Sequence, residues 1–308
     1  MNNVVVVGQG AIGLLWYQHL LVDVSNNVSL RCSKNISQPP SVFSYTHLTN
    51  TREFVAITEA TNTHIYNANI IILCVKSYHV ASALNALQQQ LNPHTIIILC
   101  HNGMGVIEEI PSTVKESQTI LSALVTHGVK RTSAFQVTHT GDGKIDIGVI
   151  CGSLSTKRQQ QLFKQLANTQ LNVHWQKNIQ QQQWEKLAIN CVINPITALN
   201  NINNGDINNT TYQQLKTDLL CEVINTAKAE GIILNKKELL AKIAHVAQLT
   251  AENCSSMRSD ILAQRLTEID YINGYIHRLG IIHSIKTPHN SALWNKIKVL
   301  ENKNALTK

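Results

Sequence analysis

Residues 3–13 read NVVVVGQGAIG, and this stretch decides the fold of the first half of the chain. Its four valines form the short apolar run that a parallel strand buried on both faces requires. The glycines that follow allow a tight turn, close approach of a pyrophosphate and close packing of the next helix, whose N-terminus attracts phosphate. Because the glycines lie between a predicted strand and a predicted helix, we predict a dinucleotide site formed by Gly8, Gln9, Gly10, Ala11, Ile12 and Gly13. The alternative is a tight turn that binds no ligand.

The residues after the second predicted strand indicate which dinucleotide binds. NAD sites usually place an acid about 20 residues beyond the glycines, but no acid lies between Asp23 and Glu53. Arg31 stands there instead, with Lys34 nearby, and a guanidinium can hold a 2′-phosphate through paired hydrogen bonds. We predict NADP(H) rather than NAD(H); the alternative is that Arg31 is a solvated charge at a strand end.

Apolar runs alternate with helical periodicity up to about residue 175. This rhythm predicts a Rossmann-type, doubly wound parallel sheet. The predicted strands lie near 3–7, 28–31, 70–75, 95–100, 119–126, 134–139, 145–150 and 171–175, with helices near 11–22, 79–90 and 155–168. After the Gln-rich segment 176–183 only helical periodicity remains, with helices predicted near 179–198, 208–231, 236–251, 253–283 and 289–302. We therefore predict an NADP-binding Rossmann domain over 1–175 and a helical substrate and catalytic domain over 176–308.

Composition limits the class of protein. The chain has 308 residues, 44% of them hydrophobic and 15% charged, as in a globular protein, and no apolar run approaches the roughly 20 residues of a membrane helix. Seven cysteines without a CxxC pair suggest reduced thiols in the cytoplasm. The net charge of +7 is dispersed, so we expect no nucleic-acid partner. The thirteen histidines show no metal-binding spacing, so we expect no metal.

Residues 184–198, WEKLAINCVINPITA, form an apolar helix that carries three polar groups. Lys186, Asn190 and Asn194 are spaced by four residues and therefore project from one face. Burying them unpaired would be costly, which indicates a polar cleft that meets a ligand; the alternative for Lys186 is a snorkelling surface lysine. Pro195 is expected to kink or end the helix.

Two further polar groups follow predicted strands, where ligands of open α/β sheets bind. Lys76 follows the run at 70–75, and Asn102 follows the run at 95–100. Either could contact a ligand, although an ordinary surface lysine and a simple Asn-Gly turn are the alternatives.

Five motifs together resemble the ketopantoate reductase (2-dehydropantoate 2-reductase) family over residues 2–285. They are VGQGAIG at 7–13, HNGMG at 101–105, the helix at 184–198, AENCSSM at 251–257 and TEIDYINGY at 267–275. The glycine motif is widespread, whereas the other four are specific in combination. The resemblance implies NADPH-dependent reduction of 2-dehydropantoate to (R)-pantoate in pantothenate and coenzyme A biosynthesis. It also implies a C-terminal domain like that of 6-phosphogluconate dehydrogenase.

The resemblance assigns roles residue by residue. It implies that Lys186 is the general acid that protonates the ketone oxygen, and that Glu268 orients it. The implied substrate contacts are Lys186, Asn190, Asn194, Asn204 and Ser256, to which we add Asn102 and, from its spacing to Ser256, Asn253. The implied cofactor contacts are Arg31, Lys76, Asn102, Val129 and Glu268. Helix capping is the alternative for Asn253 and Ser256.

The predicted helix over 253–283 raises a geometric difficulty. On a continuous helix Ser256 and Glu268 would stand about 18 Å apart, so either the helix breaks or the two residues serve different ligands. A reductase of another small 2-keto or 3-hydroxy acid and a non-catalytic NADP(H) sensor are the rival functions, and a monomer or a homodimer is expected.

Overall fold

The structure is a computed structural model that describes residues 2–33, 36 and 38–306. Lys34, named above beside Arg31, lies outside the described residues. The chain divides into two compact units: unit 1 comprises Met1–His101 and Glu109–Ile179, and unit 2 comprises Asn102–Glu108 and Gln180–Lys308. The sequence predicted a boundary near residue 175. It did not predict that the short segment Asn102–Glu108 belongs with the helical unit.

Unit 1 contains two sheets. The strands are β1 (Asn2–Val7), β2 (Asn26–Arg31), β3 (Val42–Thr46), β4 (Arg52–Ala56), β5 (Ile70–Leu73), β6 (Ile96–Leu99), β7 (Thr119–Val125), β8 (Gly128–Ser133), β9 (Gln136–Gly141), β10 (Ile145–Cys151) and β11 (Val173–Trp175). The larger sheet has the order β11-β10-β7-β6-β5-β1-β2, and the smaller has the order β4-β3-β9-β8.

The larger sheet confirms the predicted parallel core from β2 to β7, where every neighbouring pair is parallel. Strand β10, for which the sequence indicated no direction, runs antiparallel to β7 and makes the sheet mixed. The chain leaves β7, forms the antiparallel pair β8 and β9, and re-enters the large sheet in the opposite direction. The strands are buried on both faces, with Val6, Ile72 and Ile98 side by side on one face and Val5, Ile71 and Ile97 on the other. Each such side chain contributes about 1.5–3 kcal/mol.

The smaller sheet was largely missed, since β3, β4 and β8 were not predicted. Most residues of β4 and β8 are exposed, so neither strand shows the alternating apolar pattern by which a half-buried strand is recognised.

The helices in chain order are α1 (Ala11–Leu21), α2 (Asn62–Tyr66), α3 (Ser77–Leu87), α4 (Val106–Glu109), α5 (Ser112–Ser117), α6 (Thr156–Ala167), α7 (Ile179–Asn200), α8 (Gln213–Ala229), α9 (Lys236–Leu249), α10 (Ser256–Leu262), α11 (Asn273–Ile282) and α12 (Pro288–Leu306). Short 3-10 turns lie at Asn204–Asn208 and Ile269–Tyr271, among others. Within the described ranges, none of these helices is long and apolar enough to cross a membrane.

Two predictions about unit 2 need correction. Pro195 was expected to kink or end its helix, and the second of these outcomes is wrong, because α7 continues through it to Asn200. The continuous helix predicted over 253–283 is also wrong, because α10 ends in a reverse turn. Gln264 adopts a left-handed φ of 51°, and Arg265 donates its backbone N–H to Asp260 O (2.8 Å). This is the Schellman geometry that glycine usually provides.

Candidate active site

In the glycine loop of unit 1, residues 8–13, two glycines are required by close contacts within the protein, and a third leaves space for a ligand. Gly8 has φ +107°, and a Cβ there would lie 2.8 Å from Cys74 O. A Cβ on Gly13 would lie 1.9 Å from Gly8 O, whereas one on Gly10 meets its nearest atom at 3.7 Å. Gly8 and Gly13 are therefore required by the protein itself. Gly10 is not, which fits a glycine that admits a pyrophosphate.

The end of β2 lies beside this loop. Gln9 and Ser33 are joined by two hydrogen bonds, from Gln9 Nε2 to Ser33 Oγ (2.9 Å) and from Ser33 N to Gln9 Oε1 (3.0 Å). Arg31 is half-buried and donates one guanidinium N–H to Ala60 O (2.9 Å). The sequence did not single out Ser33 as a site residue, although a hydroxyl two residues beyond Arg31 is a reasonable phosphate ligand.

An acidic residue, Glu59, also lies beside β2, although it comes well after the position about 20 residues beyond the glycines where NAD sites usually have an acid. Glu59 bridges Leu30 in a parallel pairing. Burial, followed by the charge of Glu59, raises the pKa of Cys32 to about 11, against an opposing effect of Arg31. The end of β2 therefore carries charges of both signs.

Lys76 and Val129 occupy different parts of unit 1. Lys76 is half-buried at the N-cap of α3, just beyond β5, at the same carboxyl edge of the sheet as the glycine loop. Val129 lies on β8, pairs with His139 and packs against the hydrophobic core.

Helix α7 of unit 2 carries the polar array. Trp184, Leu187 and Cys191 are fully buried on one side of the helix. Lys186 projects away from Trp184 and is half-buried, whereas Asn194, seven residues after Leu187, lies beside the buried face and is itself buried. The Asn190 Nδ2 atom is buried without a hydrogen-bond acceptor among the described residues, an arrangement that favours a ligand with an exposed oxygen.

The C-terminal end of α7 is tied to the start of α10. The hydroxyls of Thr197 and Ser255 lie 2.7 Å apart, and Ser255 Oγ caps α10 by accepting the N–H of Arg258 (3.1 Å). Ser256, the first residue of α10, is exposed. The sequence analysis did not single out Ser255, because the family resemblance assigned a role to its neighbour Ser256 instead.

Asn204 and Asn253 are also brought together. Asn204 donates its backbone N–H to Asn253 O (3.1 Å) and its side-chain amide to Thr250 Oγ1 (3.0 Å). Asn204 Oδ1 is buried and accepts no hydrogen bond within the part of the chain that is described. Asn253 itself is exposed.

Asn102 and Glu268, 166 residues apart, form a close pair in unit 2. The Glu268 carboxylate accepts the backbone N–H of Asn102 (3.2 Å) and its side-chain amide (3.1 Å). Met104 N donates to Tyr271 O (2.8 Å), and a Cβ on Gly103 would lie 2.2 Å from that oxygen. The segment 102–108 therefore follows the turn at Tyr271 closely, which fixes Asn102 against Glu268.

The predicted residues thus form one set in each unit. Unit 1 holds the glycine loop, Arg31, Lys76 and Val129, and unit 2 holds the residues assigned to substrate together with Glu268. The break after α10 removes the requirement that Ser256 and Glu268 lie on one continuous helix. Across the described residues, no group of three or more histidine, cysteine or acidic side chains is arranged to hold a metal ion.

Comparison with known proteins gives consistent matches over both units. The profile described as "Ketopantoate reductase PanE/ApbA" matches residues 4–152, and "Ketopantoate reductase PanE/ApbA C terminal" matches 178–301. A 2-dehydropantoate 2-reductase of Vibrio cholerae is 35% identical over 300 residues, covering 97% of this chain and 98% of that protein.

Two solved structures share the fold. D-mandelate dehydrogenase in a ternary structure with NADH and anilino(oxo)acetate has a TM-score of 0.86 at 21% identity, covering 98% of this chain and 99% of that one. A ketopantoate reductase of Staphylococcus aureus, described as dimeric, has a TM-score of 0.82 at 23% identity with the same coverage.

The dinucleotide-type loop, the Rossmann-like sheet and the helical unit with its lysine–asparagine array define an oxidoreductase. Within that class, the two profile matches and the full-length relatives settle the family. The chain belongs to the ketopantoate reductase family.

Proposed function

We propose that this oxidoreductase reduces 2-dehydropantoate to (R)-pantoate with NADPH, the step that supplies pantothenate and coenzyme A biosynthesis. The observation that carries the proposal is the array on α7, where an ammonium and two amides share one face and the Asn190 Nδ2 atom is buried without an acceptor in the described chain. A 2-keto acid offers the matching oxygens, namely a carboxylate and a ketone. The name of the Vibrio cholerae relative supports the same substrate.

The residues of unit 1 fit a phosphorylated dinucleotide. Gly10 leaves room beside the start of α1, where backbone N–H groups and the helix dipole stabilise a pyrophosphate. Arg31, with four of its five guanidinium N–H groups not used on Ala60 O, is suited to a 2′-phosphate. When bound, NADPH supplies the hydride.

The residues of unit 2 supply the remaining chemistry. Lys186 protonates the ketone oxygen as negative charge develops there, a role that a positioned ammonium performs well. Asn190, Asn194 and Asn204 bind the carboxylate and hydroxyl ends of the substrate, and Asn253 and Ser256 contact the same ligand. Glu268 holds Asn102 through both carboxylate oxygens and orients Lys186.

The test compares keto acids that differ in one group, by following the loss of NADPH absorbance. Ketopantoate and 2-oxoisovalerate differ only in a hydroxymethyl group, and phenylglyoxylate tests the mandelate type of substrate. We expect kcat/KM to favour ketopantoate over 2-oxoisovalerate by at least about a hundredfold, because polar groups built for a hydroxyl discriminate strongly. Faster turnover of 2-oxoisovalerate or phenylglyoxylate would indicate another keto acid. No turnover with any of them, despite NADPH binding, would favour a sensor.

A further inference from the structure

A proline stands in the middle of the helix that carries the proposed substrate array. In α7 the carbonyl of Cys191 would normally accept the N–H of residue 195, but Pro195 has no N–H. Cys191 is fully buried, so water cannot replace the missing donor cheaply. This gap lies between Asn190 and Asn194, the two amides assigned to the substrate.

Asn273, the first residue of α11, supplies the missing hydrogen bond. Its Nδ2 atom donates to Cys191 O (3.0 Å) and to Asn290 Oδ1 (2.9 Å). Both acceptors are oxygens, so the amide can only be oriented this way. The Asn273 side chain is fully buried.

A second layer fixes the Asn273 amide. Asn290, on α12 and also fully buried, donates its side-chain amide to Glu222 Oε2 (2.8 Å) and to Leu219 O (3.2 Å). The Glu222 carboxylate also accepts the backbone N–H groups of His289 and Asn290 (2.8 and 2.9 Å). It therefore caps the N-terminus of α12, and this C-terminal helix, for which the sequence implied no role, supports α7 through Asn273.

We propose that Asn273 is a positioning residue for the substrate array. By replacing the helix hydrogen bond that Pro195 removes, it fixes the turn that sets Asn194 relative to Asn190. This inference rests on the proposed function, because it takes those two amides as the substrate contacts.

The test is a double-mutant cycle of Asn273→Leu and Pro195→Ala. Leucine has the same number and branching of side-chain heavy atoms as asparagine but cannot donate to Cys191 O, whereas an alanine at position 195 has the N–H that the helix needs. We expect Asn273→Leu to raise KM for ketopantoate about tenfold while KM for NADPH stays within about twofold. In the Pro195→Ala background the same change should raise KM for ketopantoate less than about threefold.

Asn200→Ala is the matched control, since it removes another amide that donates to an α7 carbonyl, that of Ile196 (2.8 Å), beyond the array. We expect it to leave KM for ketopantoate within about twofold. A lowered unfolding midpoint for Asn273→Leu with unchanged KM values would show a purely structural role and overturn the inference. An equal rise of KM in both backgrounds would also overturn it.

Hydrogen exchange separates this inference from the proposed function. Asn273→Leu should speed exchange in peptides covering 191–200, and Pro195→Ala should suppress that effect. If this pattern is found in a protein that reduces no keto acid, the proposed function fails while the support of α7 by Asn273 stands. Unchanged exchange in Asn273→Leu contradicts the support itself.

Discussion

Gly10 and Gly13 belong to the same loop but are glycines for different reasons, Gly10 for the ligand and Gly13 for the fold. Gly10 has an ordinary extended backbone (φ −73°, ψ 178°) and room for a Cβ, whereas a Cβ on Gly13 would overlap Gly8 O. We expect Gly10→Ala to leave the free energy of unfolding within about 1 kcal/mol but to weaken NADPH binding at least about tenfold.

Gly13→Ala serves as the paired variant and should lower the free energy of unfolding by about 3 kcal/mol or more. Denaturant unfolding and fluorescence titration with NADPH measure the two effects. If Gly10→Ala binds NADPH as tightly as the wild type, the glycine loop does not contact the cofactor as proposed.

Arg31 is expected to set the preference for the 2′-phosphate. Removal of a charge-assisted, paired hydrogen bond should raise KM for NADPH by about ten- to a hundredfold in Arg31→Ala, with little change for NADH. Glu59→Gln, which changes charge at the same end of β2, should not weaken NADPH binding. Equal losses for both cofactors in Arg31→Ala would mean that the arginine supports the strand end instead.

At the scale of elements, two helix N-caps offer a matched comparison. Ser255 caps α10 through Arg258 N, and Ser155 caps α6 through Arg158 N (3.3 Å). Each serine-to-alanine change should cost about 1 kcal/mol of unfolding free energy. Only Ser255 also contacts Thr197 on α7, so Ser255→Ala alone should raise KM for ketopantoate. A rise of the same size in Ser155→Ala would show that general destabilisation is the cause.

Elements with strong periodicity were predictable from the sequence, and elements defined by distant partners were not. The buried runs of β1, β5 and β6 and the long helix α7 follow from local pattern alone. The hydrogen bond from Asn273 to Cys191 O joins residues 82 positions apart, and α10 ends at a left-handed Gln264, where no glycine signals a turn. Neither feature has a local signal.

At the scale of the whole molecule, a buried chain of histidines is expected to make unit 1 less stable in acid. Tyr45 Oη lies 3.1 Å from His19 Nε2 and 3.2 Å from His139 Nδ1, and His139 Nε2 lies 3.1 Å from His127 Nδ1. Burial, together with the neighbouring His127 and His19, lowers the pKa of His139 to about 4, against the opposing effects of a hydrogen bond to the Gly141 backbone and of the charge of Asp142.

Because the unfolded chain binds a proton near pH 6.5 and folded His139 does not, stability is full above that pH and falls as pH drops towards 4. The loss between about pH 7.5 and about pH 5 should be about 2 kcal/mol. Denaturant unfolding at both pH values should show this loss in the wild type and in His174→Asn, an exposed control on β11. In His139→Asn the loss should be clearly smaller but not zero, because burial also lowers the pKa of His19. An equal loss in all three proteins would place the acid sensitivity elsewhere.

The candidate site was predicted residue by residue, but not its internal contacts. Spacing placed Lys186, Asn190 and Asn194 on one helix, and the structure has them there. The pairing of Asn102 with Glu268 spans 166 residues, and the approach of Glu59 to β2 comes from a loop outside the expected window. Such contacts arise from packing, which one sequence does not encode locally.

The most direct test of the account is the turnover of Lys186→Ala with ketopantoate and NADPH. We expect kcat to fall at least about a hundredfold, the scale of general acid catalysis, while the Kd for NADPH stays within about twofold. Lys242→Ala, which removes the ion pair to neighbouring Glu185 (2.7 Å), should keep the wild-type rate. A Lys186→Ala protein that turns over as fast as the wild type would contradict the assignment of this ammonium as the proton donor.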